Sequence, residues 1–201
     1  VLDGSRAQRT DSGGQAGIWI ASDGNEVRGL QIVRFAGNGV SIAQGSDNLI
    51  AGNVLSANSS GIEIRGERSG RNVVAGNLIG VGADGKTGMA NENGISLVDG
   101  AHHNRIGGSR PGDRNVVSAN RNAGVAVENG AFANVIAGNH LGTDSRGVEA
   151  PGPQLFGIQV RSADNQVGGY GAGEGNLASG NQIQGISLLG AGATRNVVAG
   201  N

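Results

Sequence analysis

The sequence contains no cysteine, so disulfide staples and thiolate metal centres are both excluded and the compartment is left open. Aromatic residues make up 2% of the chain: Trp19, Phe35, Phe132, Phe156 and Tyr170. A core without rings has to be narrow and filled with small branched aliphatics, which suits a thin tube better than a globule. No apolar run approaches the ~20 residues that span a bilayer, so no membrane insertion is expected. The formal net charge of −1 supplies no broad field for nucleic acid, and none is expected as a partner. An initiator Met and a signal-peptide pattern are also missing. The chain opens in a strand-like stretch, Val1-Leu2-Asp3-Gly4, and closes at Asn201 inside a repeat. Residues 1–201 therefore read as one domain cut from a longer polypeptide with flanking domains.

Glycine, by contrast, is abundant, at 40 of 201 residues. Its recurrence in register with Val, Ile and Leu argues against low-complexity disorder. One six-residue phrase is written six times: Asn48-Leu-Ile-Ala-Gly-Asn53, Asn72-Val-Val-Ala-Gly-Asn77, Asn115-Val-Val-Ser-Ala-Asn120, Asn134-Val-Ile-Ala-Gly-Asn139, Asn176-Leu-Ala-Ser-Gly-Asn181 and Asn196-Val-Val-Ala-Gly-Asn201. A second phrase, Gly-apolar-x-apolar, starts at Gly17, Gly39, Gly61, Gly94, Gly124, Gly157 and Gly185. Period-2 alternation makes each of these a short strand, with Ile62 and Ile64 on one face and Glu63 and Arg65 on the other.

The glycine intervals are 22, 22, 33, 30, 33 and 28 residues. Twenty-two residues accommodate three short strands and three bends, and no helical periodicity competes with that reading. Successive turns then stack their strands in parallel with a rise of ~4.8 Å each, so seven turns give a rod ~35 Å long. Right-handed crossovers are the rule for parallel strands. The expected fold is an all-β, right-handed parallel β-helix. The long intervals alternate, with insertions near 81–93 and 143–156, which makes the copied unit a two-turn block (61–123 and 124–184).

The asparagines are expected at the bends, where Asn tolerates the left-handed backbone and its amide can hydrogen-bond to the turns above and below. Asn25, Asn104 and Asn165 take the equivalent place where the six-residue phrase is displaced. Asn58-Ser59-Ser60 alone matches a glycosylation acceptor, and the ladder role is the simpler reading of the rest.

Three stretches resemble the repeats of bacterial surface or secreted proteins in the pectate-lyase-like superfamily of right-handed parallel β-helix proteins. These are Gly138-Asn-His-Leu-Gly-Thr-Asp-Ser-Arg-Gly147, Asn104-Arg-Ile-Gly-Gly108 and Asn115-Val-Val-Ser-Ala-Asn120. Residues 1–40, with Leu2-Asp3-Gly4 and Val27 to Phe35, resemble the segment that precedes such repeats. The resemblance implies a secreted or cell-surface location. It leaves function open, because the superfamily holds polysaccharide lyases, hydrolases, adhesins and passive stalks. In its enzymes the active groove runs along an outer strand face.

On that face the first outward column reads Trp19, Ser41, Glu63, Ser96, Ala126, Gln159, Ser187, and the next runs through Arg65, Val98, Glu128 and Arg161. Glu63 and Glu128 are the catalytic candidates. They lie two turns apart, ~10 Å by strand spacing, at the outer edge of the separation an inverting glycosidase uses. Arg65, Arg71 and Arg105 are ligand-binding candidates for an acidic polysaccharide or cell-surface glycan, together with Asp144 in an insertion loop. Asp84 and Asp144 each precede a loop glycine or lie close to one, but no carboxylate column repeats there, so turn stabilisation is favoured over Ca²⁺. His102 and His103 are expected at the surface on the bend before Asn104, and His140 on a separate bend in the adjacent turn. No metal and no cofactor is expected. Three readings stand: a non-catalytic scaffold, stalk or adhesin-like segment; a polysaccharide lyase or hydrolase; and a carbohydrate-binding β-helix.

Overall fold

The computed structural model describes residues 1–7 and 16–201. Their strands repeat in threes along the chain. The first sheet holds β1 (Leu2–Asp3), β4 (Gln31–Val33), β7 (Val54–Ser56), β10 (Leu78–Ile79), β13 (Val116–Val117), β16 (His140–Leu141) and β19 (Leu177–Ala178). The second holds β2 (Ile18–Ile20), β5 (Val40–Ala43), β8 (Ser60–Arg65), β11 (Asn93–Val98), β14 (Ala123–Val127), β17 (Phe156–Val160) and β20 (Gln184–Leu188). The third holds β3 (Glu26–Arg28), β6 (Leu49–Ala51), β9 (Val73–Ala75), β12 (Arg105–Gly107), β15 (Val135–Ala137), β18 (Gln166–Gly168) and β21 (Val197–Ala199). Every strand pairs in parallel with the strand three places along, as β1 does with β4 and β18 with β21. Three strands thus make one turn of a seven-turn parallel β-helix.

Inside the coil, like stacks on like. Ile20, Ile42, Ile64, Leu97, Val127 and Val160 follow one another in register down the second sheet. Val27, Ile50, Val74, Ile106, Ile136 and Val167 do so on the third. Nearly all are fully buried. β-branched chains fill a pleated surface well, and a tube one side chain deep leaves no space for rings.

The glycine opening each strand of the second sheet has a steric origin. A Cβ on Gly124 would lie 2.7 Å from the Gly157 carbonyl oxygen and 3.2 Å from Leu141 Cδ2. A Cβ on Gly39 would meet the Gly61 oxygen at the same 2.7 Å. The corner is so tight that each turn's backbone rests where the neighbour's side chain would begin.

Asparagine ladders run along all three corners. Before the third sheet, Asn25, Asn48, Asn72, Asn104, Asn134, Asn165 and Asn196 form the first. Asn104 donates its N–H and Nδ2 to Asn134 Oδ1, each at 3.0 Å. Asn134 repeats this toward Asn165 at 3.1 Å and also donates Nδ2 to the Ala101 carbonyl of the preceding turn. Before the first sheet, Asn53, Asn77, Asn115, Asn139, Asn176 and Asn201 do the same. The third ladder, before the second sheet, runs Asn58, Asn91, Asn120, Gln154, Asn181.

Two expectations change here. The six copies of the repeated phrase do not share one place: four bracket strands of the third sheet, whereas Asn115–Asn120 and Asn176–Asn181 bracket β13 and β19 of the first. The ladder asparagines are also not the left-handed residues. That conformation belongs to the residue before them, as at Gly24, Asp47, Arg71, His103, Ala133, Asp164 and Arg195. The preceding residue turns the chain, which frees the Asn N–H and amide to point together at the next Oδ1. Asn58, which matched the glycosylation pattern, is buried in the third ladder.

The long loops alternate as expected. Residues 81–92 and 143–155 both leave from the corner between the first and second sheets, two turns apart, and meet where Ser145 N–H donates to the Gly85 carbonyl at 3.0 Å. Residues 108–114 and 169–175 likewise both lie between the third and first sheets.

Replacing Asn134 with Ala removes the acceptor for two Asn104 donors and frees the Ala101 carbonyl, so stability should fall by about 1–3 kcal/mol in urea melts. A change of only a few tenths would contradict the ladder. Ala133→Gly, at φ 54°, should raise stability by about 1 kcal/mol in the same melts, because a Cβ is disfavoured in that conformation.

Candidate functional site

The outer face of the second sheet is the broadest strand surface on the rod. Its register puts Trp19, Ser41, Glu63, Ser96, Ala126, Gln159 and Ser187 in one outward column, as the alternation required. Outward does not mean exposed. Ser41, Ser96, Ala126, Gln159 and Ser187 are all buried, whereas Trp19 is 62% exposed. The open space on this side of the rod is bordered instead by Trp19, Ala43 and Arg65 and by the bends that follow the strands.

Polar contacts run from turn to turn along this face. Ser41 Oγ donates to Glu63 Oε1 at 3.5 Å. Glu63 faces Arg65 at 3.8 Å, and Arg65 Nη2 donates to Asp99 Oδ2 of the next turn at 2.9 Å. Asn129, a turn further on, donates Nδ2 to Asp99 Oδ1 at 3.4 Å. Four consecutive turns are thus linked through side chains. The bends at 66–71, 99–104 and 129–134 form the wall.

Two adjoining hollows of about 660 and 610 Å³ share Glu67 and Asp99 and make one continuous trough. Trp19, Gln44, Arg65 and Arg68 line one hollow. His102, Asn129 and Phe132 line the other. His102 stacks on Phe132 with ring centres 5.2 Å apart. Its Nε2 lies 3.0 Å from the Glu67 carbonyl oxygen, and its Nδ1 lies 2.9 Å from His103 Nδ1. A carbonyl only accepts, so Nε2 carries the His102 proton, Nδ1 accepts, and His103 Nδ1–H donates.

The remaining candidates from the sequence are dispersed. Glu128 follows β14 and pairs with Arg161 at 3.6 Å, and no network joins it to Glu63. Arg71 makes a two-pronged pair with Asp47 across adjacent turns, at 2.8 and 2.6 Å. Arg105 is on the third sheet with Asp113, in a separate hollow. Only Arg65 of the three arginines borders the trough. Trp19, His102 and Phe132 appear in the sequence reading above without being grouped, and Glu67 and Asp99 join them only in the folded chain. Their common signal is distance from the Gly-apolar-x-apolar phrase, since the bend after each such strand ends on the same side of the rod.

Asp144 is a loop hub. Its buried carboxylate accepts from Val148 N–H at 2.9 Å, Glu149 N–H at 3.3 Å and Arg146 Nε at 2.8 Å. Asp84 plays the same part for Lys86 and Thr87 in the other loop. His140, expected on a surface bend, is instead buried in β16, because its strand follows Asn139 directly, and burial pushes its imidazole below the ordinary value. Among the described residues no three His, Asp or Glu side chains are grouped to hold a metal ion. No helix among them is long and apolar enough to cross a membrane.

A family model described as right handed beta helix region matches residues 10–168. No curated protein matches the chain significantly.

The Asp144 carboxyl is held at about 2, from an ordinary 3.8, by the Val148 N–H and then by Arg146. Its folded form therefore favours the charged state, so its contribution to stability is complete above about pH 4 and is lost as pH falls through about 2. Asp144→Asn should lose less stability than the parent across that window, measured as urea midpoints at successive pH values. Parallel midpoint curves would contradict this role.

Proposed function

The chain belongs to the right-handed β-helix family, and from that premise we propose that it is a non-catalytic rod, a scaffold, stalk or adhesin-like segment of a secreted or cell-surface bacterial protein. The observation that carries this reading is the use made of charge on the outside of the coil. Carboxylates pair with arginines of the neighbouring turn: Asp3 with Arg34, Asp47 with Arg71, Asp99 with Arg65, Glu128 with Arg161 and Asp164 with Arg195. Such exposed pairs are individually weak in water, but each one fastens a turn to the next. A general acid and base acting together need two carboxyls facing one bond. Glu63 and Glu128 instead each face an arginine, in different columns.

The repeat resemblance supports an extracellular setting, with which a cysteine-free rod is compatible.

The test is turnover. The full chain is incubated with neutral and acidic polysaccharides, and reducing ends and unsaturated products are followed. The expected result is no product above that of a Glu63→Gln, Glu128→Gln double variant. Product formation by the parent that either single substitution abolishes would overturn the reading.

A further inference from the structure

The bend between β11 and β12 carries two adjacent histidines, His102 and His103, just before ladder residue Asn104. In an extended chain, neighbouring side chains point to opposite sides. His103 adopts the left-handed conformation at φ 54°, which swings its ring back to the side of His102. The rings stand perpendicular with centres 5.1 Å apart, and their Nδ1 atoms are 2.9 Å apart. Beyond that gap the centre distance leaves room only for the two ring radii. The nitrogens therefore meet head-on, along one line.

His102 is held in this pose from three directions. Its turn lies between those of Gly70 and Phe132, to which it is bridged in parallel. A Cβ on Gly70 would lie 2.6 Å from His102 Cε1, so the ring rests against a glycine. Phe132 stacks on it from the following turn at 5.2 Å. The Glu67 carbonyl takes its Nε2 proton at 3.0 Å, which leaves the Nδ1 lone pair aimed at His103. A hydrogen bond from the far ring nitrogen to a carbonyl is how histidine ligands are oriented at metal centres. The Glu67 carboxylate borders the same hollow as His102, which favours a cation there.

Two imidazole nitrogens in line, with a single proton between them, set the geometry for an ion that takes two opposed ligands. Tetrahedral zinc and oxygen-seeking calcium need more ligands, and among the described residues no third His, Asp or Glu side chain joins the pair. Square-planar copper(II) needs nitrogens that converge at a right angle. The closed-shell monocations copper(I) and silver(I) are satisfied by two collinear nitrogens.

We propose that His102 and His103 form a linear two-coordinate site for copper(I), which silver(I) also fills. Metal–imidazole bonds are about 2 Å long, so the nitrogens have to part by roughly 1 Å. The exposed His103 ring is free to make that movement. The ion takes the place of the proton on His103 Nδ1, and that proton passes through solvent to His103 Nε2. Both imidazoles stay neutral, and no electron is transferred. The chain has no cysteine and a single methionine, Met89, so no thiolate competes for a soft ion.

The experiment is a titration of the full chain with silver nitrate in chloride-free buffer, followed by calorimetry and by NMR of the imidazole nitrogens. Copper(I) is then measured by competition with bicinchoninate under argon. One ion per chain is expected. The Nδ1 resonances of His102 and His103 should move together as the His103 proton transfers to Nε2, while those of His140 stay in place. His102→Gln and His103→Gln should each abolish binding, and Met89→Leu should leave it intact, with urea midpoints confirming that each variant is folded. Should a glutamine variant not fold, the resonances of the parent chain decide. Four results would overturn the proposal: shifts confined to one histidine, binding that survives either glutamine substitution, loss of binding in Met89→Leu, or zinc sulfate bound as tightly as silver.

Discussion

The structure depends on the buried side-chain amide that donates forward and accepts from behind. At each corner an Asn Oδ1 receives two protons from the preceding turn, while its own N–H and Nδ2 serve the next. A buried amide left alone is costly, whereas one in a chain of like amides has its polar atoms partnered. Three such chains run the length of the coil. They also set register, because a turn that slipped by one residue would lose all three corners together. The aliphatic columns then fill the tube whose outline the corners have drawn, and the glycines at the second-sheet corner let successive backbones approach closely enough for the amides to meet.

Much of this could be read in the amino-acid order. Asn at fixed places and Gly-Ile-x-Ile phrases are repetitive enough to reveal the turn, the three-strand layout and the parallel stacking. The places where reading failed have physical causes. The phrase Asn115–Asn120 resembles Asn134–Asn139, but the loop at 108–114 pushes it one sheet further round the coil, and no local feature marks that move. The third ladder was obscured because one rung is Gln154 and another, Asn58, sits in a glycosylation-like triplet. The left-handed backbone was assigned to the asparagines because Asn is the residue that usually tolerates it. Here the preceding residue adopts it in every turn of the first ladder, even where that residue is Ala or Arg.

The trough was harder to see because it depends on contact between turns. Trp19 and Phe132 are 113 positions apart in sequence, and only the stacking of bends puts them along one edge. The outward column of Ser41, Ser96 and Ala126 looks like an ordinary solvent face on alternation alone. In the folded rod these side chains are buried all the same. Pairing between neighbouring turns likewise decides what the charged residues do. Arg71 and Asp47 are unremarkable singly and form a two-pronged contact once one turn lies on the next.

The alternation of long and short corners limits how such a molecule can grow. Residues 81–92 and 143–155 are separated by a short bend at Ala119, and they touch through Gly85 and Ser145 across that gap. Two loops of this bulk need two strand spacings, ~9.6 Å, to lie one over the other. Inserting a single extra turn would therefore either press two large loops into the height of one storey or leave a storey empty. Turns gained or lost in pairs keep every loop in its place. From residue 61 onward the rod thus obeys a rule of parity, its repeats stepping in twos through the packing of its corners, whereas the bare 22-residue turns before that point are free of the constraint.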